Sequence, residues 1–346
     1  MITAARNRII ILGAGFGGLY TARHLRKLLK ASDGAQVTLV SRDNFFVMTP
    51  LLFEAGSGVL EPRHAVNPIR TLFKKSQRVH FVQGEILGVD LDARTVSVRT
   101  EGGEVSPLGY EQLVVALGGM TNTRIVPGSE HAMTFKTLGD AIYLRNHVIQ
   151  RFEEADVLTD AARKRAALTF VVVGAGFVGV ELAGELTEFL PNVCRTYANV
   201  HREEIRVELI EAGPRVAPEF EESMSAYITS VLKGRGVTVR TGTPAERIEL
   251  GRILLPGGVT IESQTILVAT GVTPSPMIAA LPVEKSRKGA IVVDAEMRVK
   301  DRPGVWSLGD CASIPDPTGK PYPPLAQHAL REAKVLARNI VKTLRG

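Results

Sequence analysis

A glycine-rich turn that occurs twice, a strand–helix–strand pattern around each occurrence, and a C-terminal segment that fits neither copy predict an α/β protein. It should have two Rossmann-like dinucleotide-binding domains, the second inserted into the first. The first turn lies in IIILGAGFGGL at 9–19 and the second in VVVGAGFVGVE at 171–181. Both read GxGxxG, with Gly13, Gly15 and Gly18 in one copy and Gly174, Gly176 and Gly179 in the other. In such a turn the first glycine permits a tight strand-to-helix reversal and the second lets a pyrophosphate reach the backbone. The third lets helix and strand pack closely. The phosphates then meet the unpaired N–H groups at the positive end of the following helix.

The elements follow in order. In copy one, a strand at 8–12 leads to a helix at 16–31 and a second strand, VTLV, at 37–40; in copy two the matching elements are 169–173, 178–190 and RVELI at 206–210. Each unit continues into polar β segments and closes with a short buried strand, LVVALG at 113–118 and TILVATG at 265–271. A helical pattern at 139–158 connects the copies. After Pro274 come AIVVD at 290–294, GVWSLGDCA at 304–312, a proline-rich loop and a terminal helix at 325–345. That tail is expected to return to the first domain, giving domains of 1–120 with 289–346 and of 121–288.

Composition narrows the classes of function. The chain has 346 residues, 45% of them apolar, and a net charge of +6 from 42 Lys and Arg against 36 Asp and Glu. The cations are scattered without interleaved aromatics, so a solvated basic surface is expected rather than a nucleic-acid partner, with weak attraction to an anionic membrane as the alternative. Cys194 and Cys311 form no CxxC pair and no histidines cluster, which argues against a disulfide framework and a metal site and fits a reduced, cytoplasmic setting. The N-terminus runs directly into a core strand, leaving no room for a signal peptide. The longest uncharged apolar stretch, Ala166 to Val180, has 15 residues including three glycines, and a bilayer-spanning helix needs about 20.

A dinucleotide fold places an acid at the end of its second strand to bind the adenosine ribose. Copy two has Glu211 there; copy one has Ser41, with Asp43 two residues on. On these residues alone, two nicotinamide or two flavin sites fit equally.

The tail breaks the tie by resemblance. GVWSLGDCA resembles the C-terminal flavin motif of flavoprotein reductases with two dinucleotide domains, whose Asp holds a ribityl hydroxyl; this assigns FAD, Gly309 and Asp310 to the first domain. TPLLFEAGSGVLEPRHAVNPIR (49–70), ALGGMTNTRIVPG (116–128), FKTLGDAIYLRNHVIQRFEEA (135–155), GAGFVGVELAGEL (174–186) and PPLAQHALREA (323–333) narrow it further. In combination they are similar to the type II NADH dehydrogenases, the single-subunit NADH:quinone oxidoreductases. The resemblance implies hydride transfer from NADH to FAD and two-electron transfer to a quinone, with contact to the inner face of the cell membrane and room for a homodimer. It implies an FAD site of Gly13, Gly15, Gly17, Gly18, Ser41, Arg42, Pro50, Leu51, Gly118, Gly309, Asp310, Ala326 and Gln327. The NADH site it implies is Gly174, Gly176, Gly179, Glu181, Glu211 and Gly271. Glu181, expected in the first turn of its helix, and Gln327, in the AQ pair, are the catalytic candidates, at the nicotinamide and quinone ends of the flavin. Cys311, His328 and His64 read as packing residues, and neither cysteine matches thiol-disulfide or sulfide:quinone reductase chemistry. Family members continue past the terminal helix with amphipathic membrane-docking segments, where this sequence stops at VKTLRG. A soluble NAD(P)H reductase with a small redox protein as acceptor, and a flavin-bound NADH sensor, are the alternatives.

Overall fold

The computed structural model describes residues 7–74 and 76–346. The reading of the N-terminus therefore lies partly outside the described residues. The parallel core strands, in chain order, are β1 (Asn7–Leu12), β2 (Ala35–Ser41), β3 (Val79–Gln83), β4 (Gln112–Val115), β5 (Thr169–Val173), β6 (Arg206–Ile210), β7 (Val237–Arg240), β8 (Thr265–Val268) and β9 (Val305–Ser307). The helices used below are α1 (Phe16–Leu28), α2 (Leu52–Ser57), α3 (Leu138–Val157), α4 (Phe177–Cys194), α5 (Glu222–Gly234) and α6 (Ala326–Arg345).

The chain divides into two compact units, Met1–Val47 with Val66–Met120 and Val272–Gly346, and Met48–Ala65 with Thr121–Gly271. In the first, the parallel sheet runs β3-β2-β1-β4-β9. In the second it runs β7-β6-β5-β8, the same order without the extra edge strand. Strands covered on both faces are largely apolar, and in the buried Thr169–Val173 and Gln112–Val115 every residue after the leading Thr169 and Gln112 is apolar. Between the third and fourth parallel strands each unit inserts a three-stranded antiparallel meander: Glu85–Asp90, Thr95–Arg99 and Val105–Gly109 in one, Arg247–Glu249, Arg252–Leu255 and Val259–Glu262 in the other. The duplication thus covers whole sheets with their insertions. The tail does return to the first sheet, where Val305 pairs with Leu113 and the buried Trp306 donates its indole N–H to Gln112 at 2.7 Å.

Two expected boundaries shift. Residues 48–65 belong to the second unit, because α2 packs on α3 and α4, and residues 272–288 belong to the first. The segment after copy two's glycine helix begins as an extension of that helix: α4 runs past 190 to Cys194, with Pro191 in its last turn. The expected strand at 290–294 is reduced to Ile291–Val292. The terminal helix begins at Ala326, and Ala329, Ala333, Leu336, Ala337, Ile340 and Val341 form its buried stripe against α1. Leu325 caps it and Leu344 is half-buried. No helix among the described residues is long and apolar enough to cross a membrane.

Candidate active site

The two glycine turns are nearly superimposable in conformation. Gly13 has φ +96° and Gly174 φ +97°, a region that favours glycine, and each N–H bonds the neighbouring strand, to Val40 and Ile210 carbonyls, both at 2.8 Å. A Cβ on Gly13 would strike the Ala116 carbonyl and one on Gly174 that of Ala269. A Cβ on Gly18 or Gly179 would collide with the carbonyl of Gly13 or Gly174, so the third glycine brings helix onto strand at backbone contact. Gly15 and Gly176 cap α1 and α4 in extended conformation, and no side chain takes the cap hydrogen bond. Neither helix has an acid in its first turn. Their first amides and dipole ends are therefore left for an anion.

The middle glycines differ. A Cβ on Gly15 would meet nothing within 4 Å, so the turn is open to a pyrophosphate. Beside Gly176, the exposed Glu219 carboxylate lies 3.3 Å from the equivalent position, and it must swing into solvent for phosphates to approach.

At the ends of the second strands the copies also diverge. Glu211 accepts hydrogen bonds from Ala175 N–H (2.7 Å) and Gly213 N–H (2.6 Å), one on each oxygen. A carboxylate has about four acceptor positions, so two remain for ribose hydroxyls. Ser41 is half-buried, Gly84 N–H bonds its main-chain carbonyl at 3.0 Å, and Arg42 pairs with Asp43 across 3.9 Å at the surface. Gly118 (φ +63°) and Gly271 (φ +87°) take equivalent places after β4 and β8.

In the first unit the C-terminal motif meets the glycine turn. Leu308, at the end of β9, lies 3.1 Å from where a Cβ on Gly17 would stand. Gly309 (φ +71°) opens the one-turn helix Gly309–Cys311 that carries the half-buried Asp310. The Gly309 N–H donates to Glu332 of α6 at 2.9 Å, and burial, then the Asp310 charge, pushes the Glu332 carboxyl above the usual range. Glu332 is a site residue that sequence reading missed. Its only signal was a lone acid in an otherwise basic helix. Ala326 and the exposed Gln327 open α6; the ring of His328 is tilted against that of Tyr322, with centroids 5.1 Å apart. Cys311 is buried, and burial raises its thiol, in keeping with packing. His64, expected in packing, is exposed.

Pro50 and Leu51, expected beside the flavin in the first domain, lie in the second unit, on the turn Thr49–Leu51 that leads into α2. Glu181 also departs from expectation. Helix α4 begins at Phe177, so Glu181 falls past the first turn, where the dipole gives a carboxylate little. Partial burial, then the charge of Glu54 on α2, raises its pKa. Glu54 has one oxygen buried without a hydrogen-bond partner. This carboxyl pair was invisible in sequence because it depends on α2 folding against α4. Among the described residues no group of His, Cys, Asp or Glu could hold a metal.

Residues 7–333 match the pyridine nucleotide-disulphide oxidoreductase family. The type II NADH:quinone oxidoreductase of Staphylococcus aureus is 30% identical over 99% of this chain and 83% of its own. Among solved structures, NDH2 from Plasmodium falciparum in complex with NADH has a TM-score of 0.88 at 21% identity, covering 97% of this chain and 83% of that one. A ferredoxin reductase from Rhodopseudomonas palustris has a TM-score of 0.78 at 21% identity, covering 99% and 76%.

Proposed function

The chain belongs to the type II NADH:quinone oxidoreductases, and on that premise we propose that it carries FAD on its first unit, NADH on its second, and delivers electrons to a quinone. The observation that carries this reading is the pair of congruent glycine turns, of which only the first is joined by the Gly309–Asp310 turn. FAD, when bound, accepts hydride from NADH and passes two electrons to the quinone.

The chain's own residues bind, orient and hold protons. Gly13, Gly15 and Gly18 with the N-terminus of α1 take the FAD pyrophosphate, while Gly17 keeps α1 close to β9 so that Asp310 can bind a ribityl hydroxyl. Glu332 grips the Gly309 amide and fixes the turn that presents Asp310. Ser41, Arg42 and Gly118 complete the rim of the FAD site. Gly174, Gly176, Gly179 and Gly271 form the corresponding NADH cradle, and Glu211 takes the adenosine ribose through its two free acceptor positions. Gln327, behind Ala326 at the start of α6, serves the quinone end, where the helix N-terminus favours negative charge. Reducing a quinone with NADH consumes one proton more than hydride supplies. Glu181 retains its proton to higher pH than an ordinary carboxyl and is placed to hold it. The work takes place on the cytoplasmic side, where NADH is held, at the face of the membrane that holds the quinone.

Steady-state NADH oxidation with a panel of ubiquinone and menaquinone analogues and ferredoxin-type proteins tests the reading. Turnover with quinones at least tenfold above that with protein acceptors is expected. The reverse order would replace the quinone with a redox protein as acceptor.

A further inference from the structure

Glu332 stands one turn after His328 on α6, so the two side chains share a face of the helix. With Gly309, Tyr322 and the pair Pro323 and Pro324 they line a chamber of about 10 Å³, room for a single water. Tyr322, Pro323 and Pro324 are exposed, so the chamber reaches solvent on their side. On the other it meets the half-buried Glu332, whose Oε2 accepts the Gly309 N–H at 2.9 Å. A protonated carboxyl still has an acceptor oxygen. The turn is therefore held in either state, and the second oxygen can take up or release a proton. Burial first, then the charge of Asp310 on the turn that Glu332 grips, favours the acid form. The segment between the turn and α6 brings Tyr322 to the chamber, while Asp316 accepts the Lys320 amide in an exposed turn. From α1, Arg23, His24 and Lys27 gather around Lys334 and Arg338, and Arg331 on α6 is exposed.

We propose that Glu332 is a proton-uptake residue of the flavin site: when the flavin is reduced, a proton passes from solvent through the chamber onto the Glu332 carboxylate. It leaves by the same way when the flavin is reoxidised. The inference rests on the assignment of FAD to the first unit. Hydride from NADH brings two electrons and one proton to FAD, so the reduced flavin carries one negative charge more than the oxidised one. A new negative charge at the site that Asp310 serves favours the protonated form of a neighbouring carboxyl. NADH, FAD, the Glu332 carboxylate and one solvent proton thus give NAD+, reduced flavin and the Glu332 acid. Transfer of the electrons to quinone removes that charge, and Glu332 returns its proton to the chamber. The site so holds its charge level through the cycle.

The test counts protons. The holoprotein is reduced anaerobically with one equivalent of NADH in weakly buffered solution containing a pH-indicating dye, at a series of pH values. Every sample carries Glu181→Gln, which removes the other raised carboxyl from the count. Uptake is expected to pass through a maximum above the ordinary carboxylate range. Adding Glu332→Gln, whose amide oxygen still accepts the Gly309 N–H, should abolish that maximum while FAD stays bound. The difference should peak at roughly half a proton per flavin, the uptake that a tenfold strengthening of proton binding gives. Adding His328→Gln instead should leave the maximum in place; its loss there would put the proton on the imidazole and overturn the proposal. Equal uptake with and without Glu332→Gln would overturn it too. Should Glu332→Gln shed its flavin, the Glu181→Gln protein decides alone, and a curve with no such maximum overturns the proposal. A chain that binds no FAD removes the assignment beneath the proposal, whereas a flavin that is reduced without linked uptake removes the proposal alone.

Discussion

At the residue scale, the two ends of the chemistry separate by substitution. Glu181→Gln should slow flavin reduction by NADH about tenfold or more, and Gln327→Ala should chiefly slow reoxidation by quinone; stopped-flow measurement of each half-reaction checks the division. Stability gives an independent readout on Glu181. Its folded pKa is raised, so the stability linked to its protonated form is present at low pH and lost as pH rises through the folded value. Glu181→Gln should therefore match the parent's Tm near pH 4 and exceed it at pH 8. Glu211 is expected to decide the nucleotide. A 2′-phosphate beside its carboxylate meets about 4 kcal/mol of repulsion per pair of unit charges at 4 Å and an effective dielectric near 20, before screening. Arg215, four residues on, could have relieved that repulsion. It is instead tied to the carbonyls of Phe220 (2.7 Å) and Pro218 (3.0 Å) and to Ser225 Oγ (3.0 Å). A preference for NADH over NADPH of about 2 to 3 kcal/mol is expected, roughly thirty- to over a hundredfold in kcat/KM. Glu211→Ser should narrow it mainly by improving NADPH.

At the element scale, the glycine turns predict opposite behaviour for neighbouring glycines. Gly15→Ala adds a methyl to open space at the helix cap, so it should cost about 1 kcal/mol of stability yet weaken FAD binding by obstructing the pyrophosphate. Gly18→Ala drives a methyl into the Gly13 carbonyl and should cost about 3 kcal/mol or more. Thermal unfolding of the apoprotein and a flavin titration separate the two effects. Helix α3 holds a pH-dependent joint: His147 Nε2 lies 2.9 Å from Thr265 Oγ1 and 3.1 Å from the Gln264 carbonyl. Burial, then Arg151, depresses its pKa, so its stability contribution is present above the ordinary value of about 6.5 and is lost as pH falls through the folded one. His147→Gln should flatten Tm against pH between 7 and 5. These turns and strands were legible in the sequence because their demands are local: a positive φ, a missing Cβ, a run of apolar residues buried on both faces. The place of α2 was not. Nothing in the composition of 48–65 marks it as leaving the first unit, because the decision is made by α3 and α4, far along the chain.

At the scale of the whole molecule, the repeated 3-2-1-4 strand order explains why one chain holds two nucleotide sites, and the added β9 why they are not equivalent. The sequence showed the duplication and the returning tail. It did not show Glu54 beside Glu181, or Glu332 beneath Gly309, because both contacts join segments whose proximity only the fold creates. Anaerobic titration of the purified protein with NADH, followed by addition of a quinone analogue, follows both half-reactions in one sample. About one noncovalent FAD per chain is expected, bleached by one equivalent of NADH and restored by one equivalent of quinone. A protein that binds no FAD at micromolar concentration, or whose reduced flavin the quinone fails to reoxidise, would contradict it.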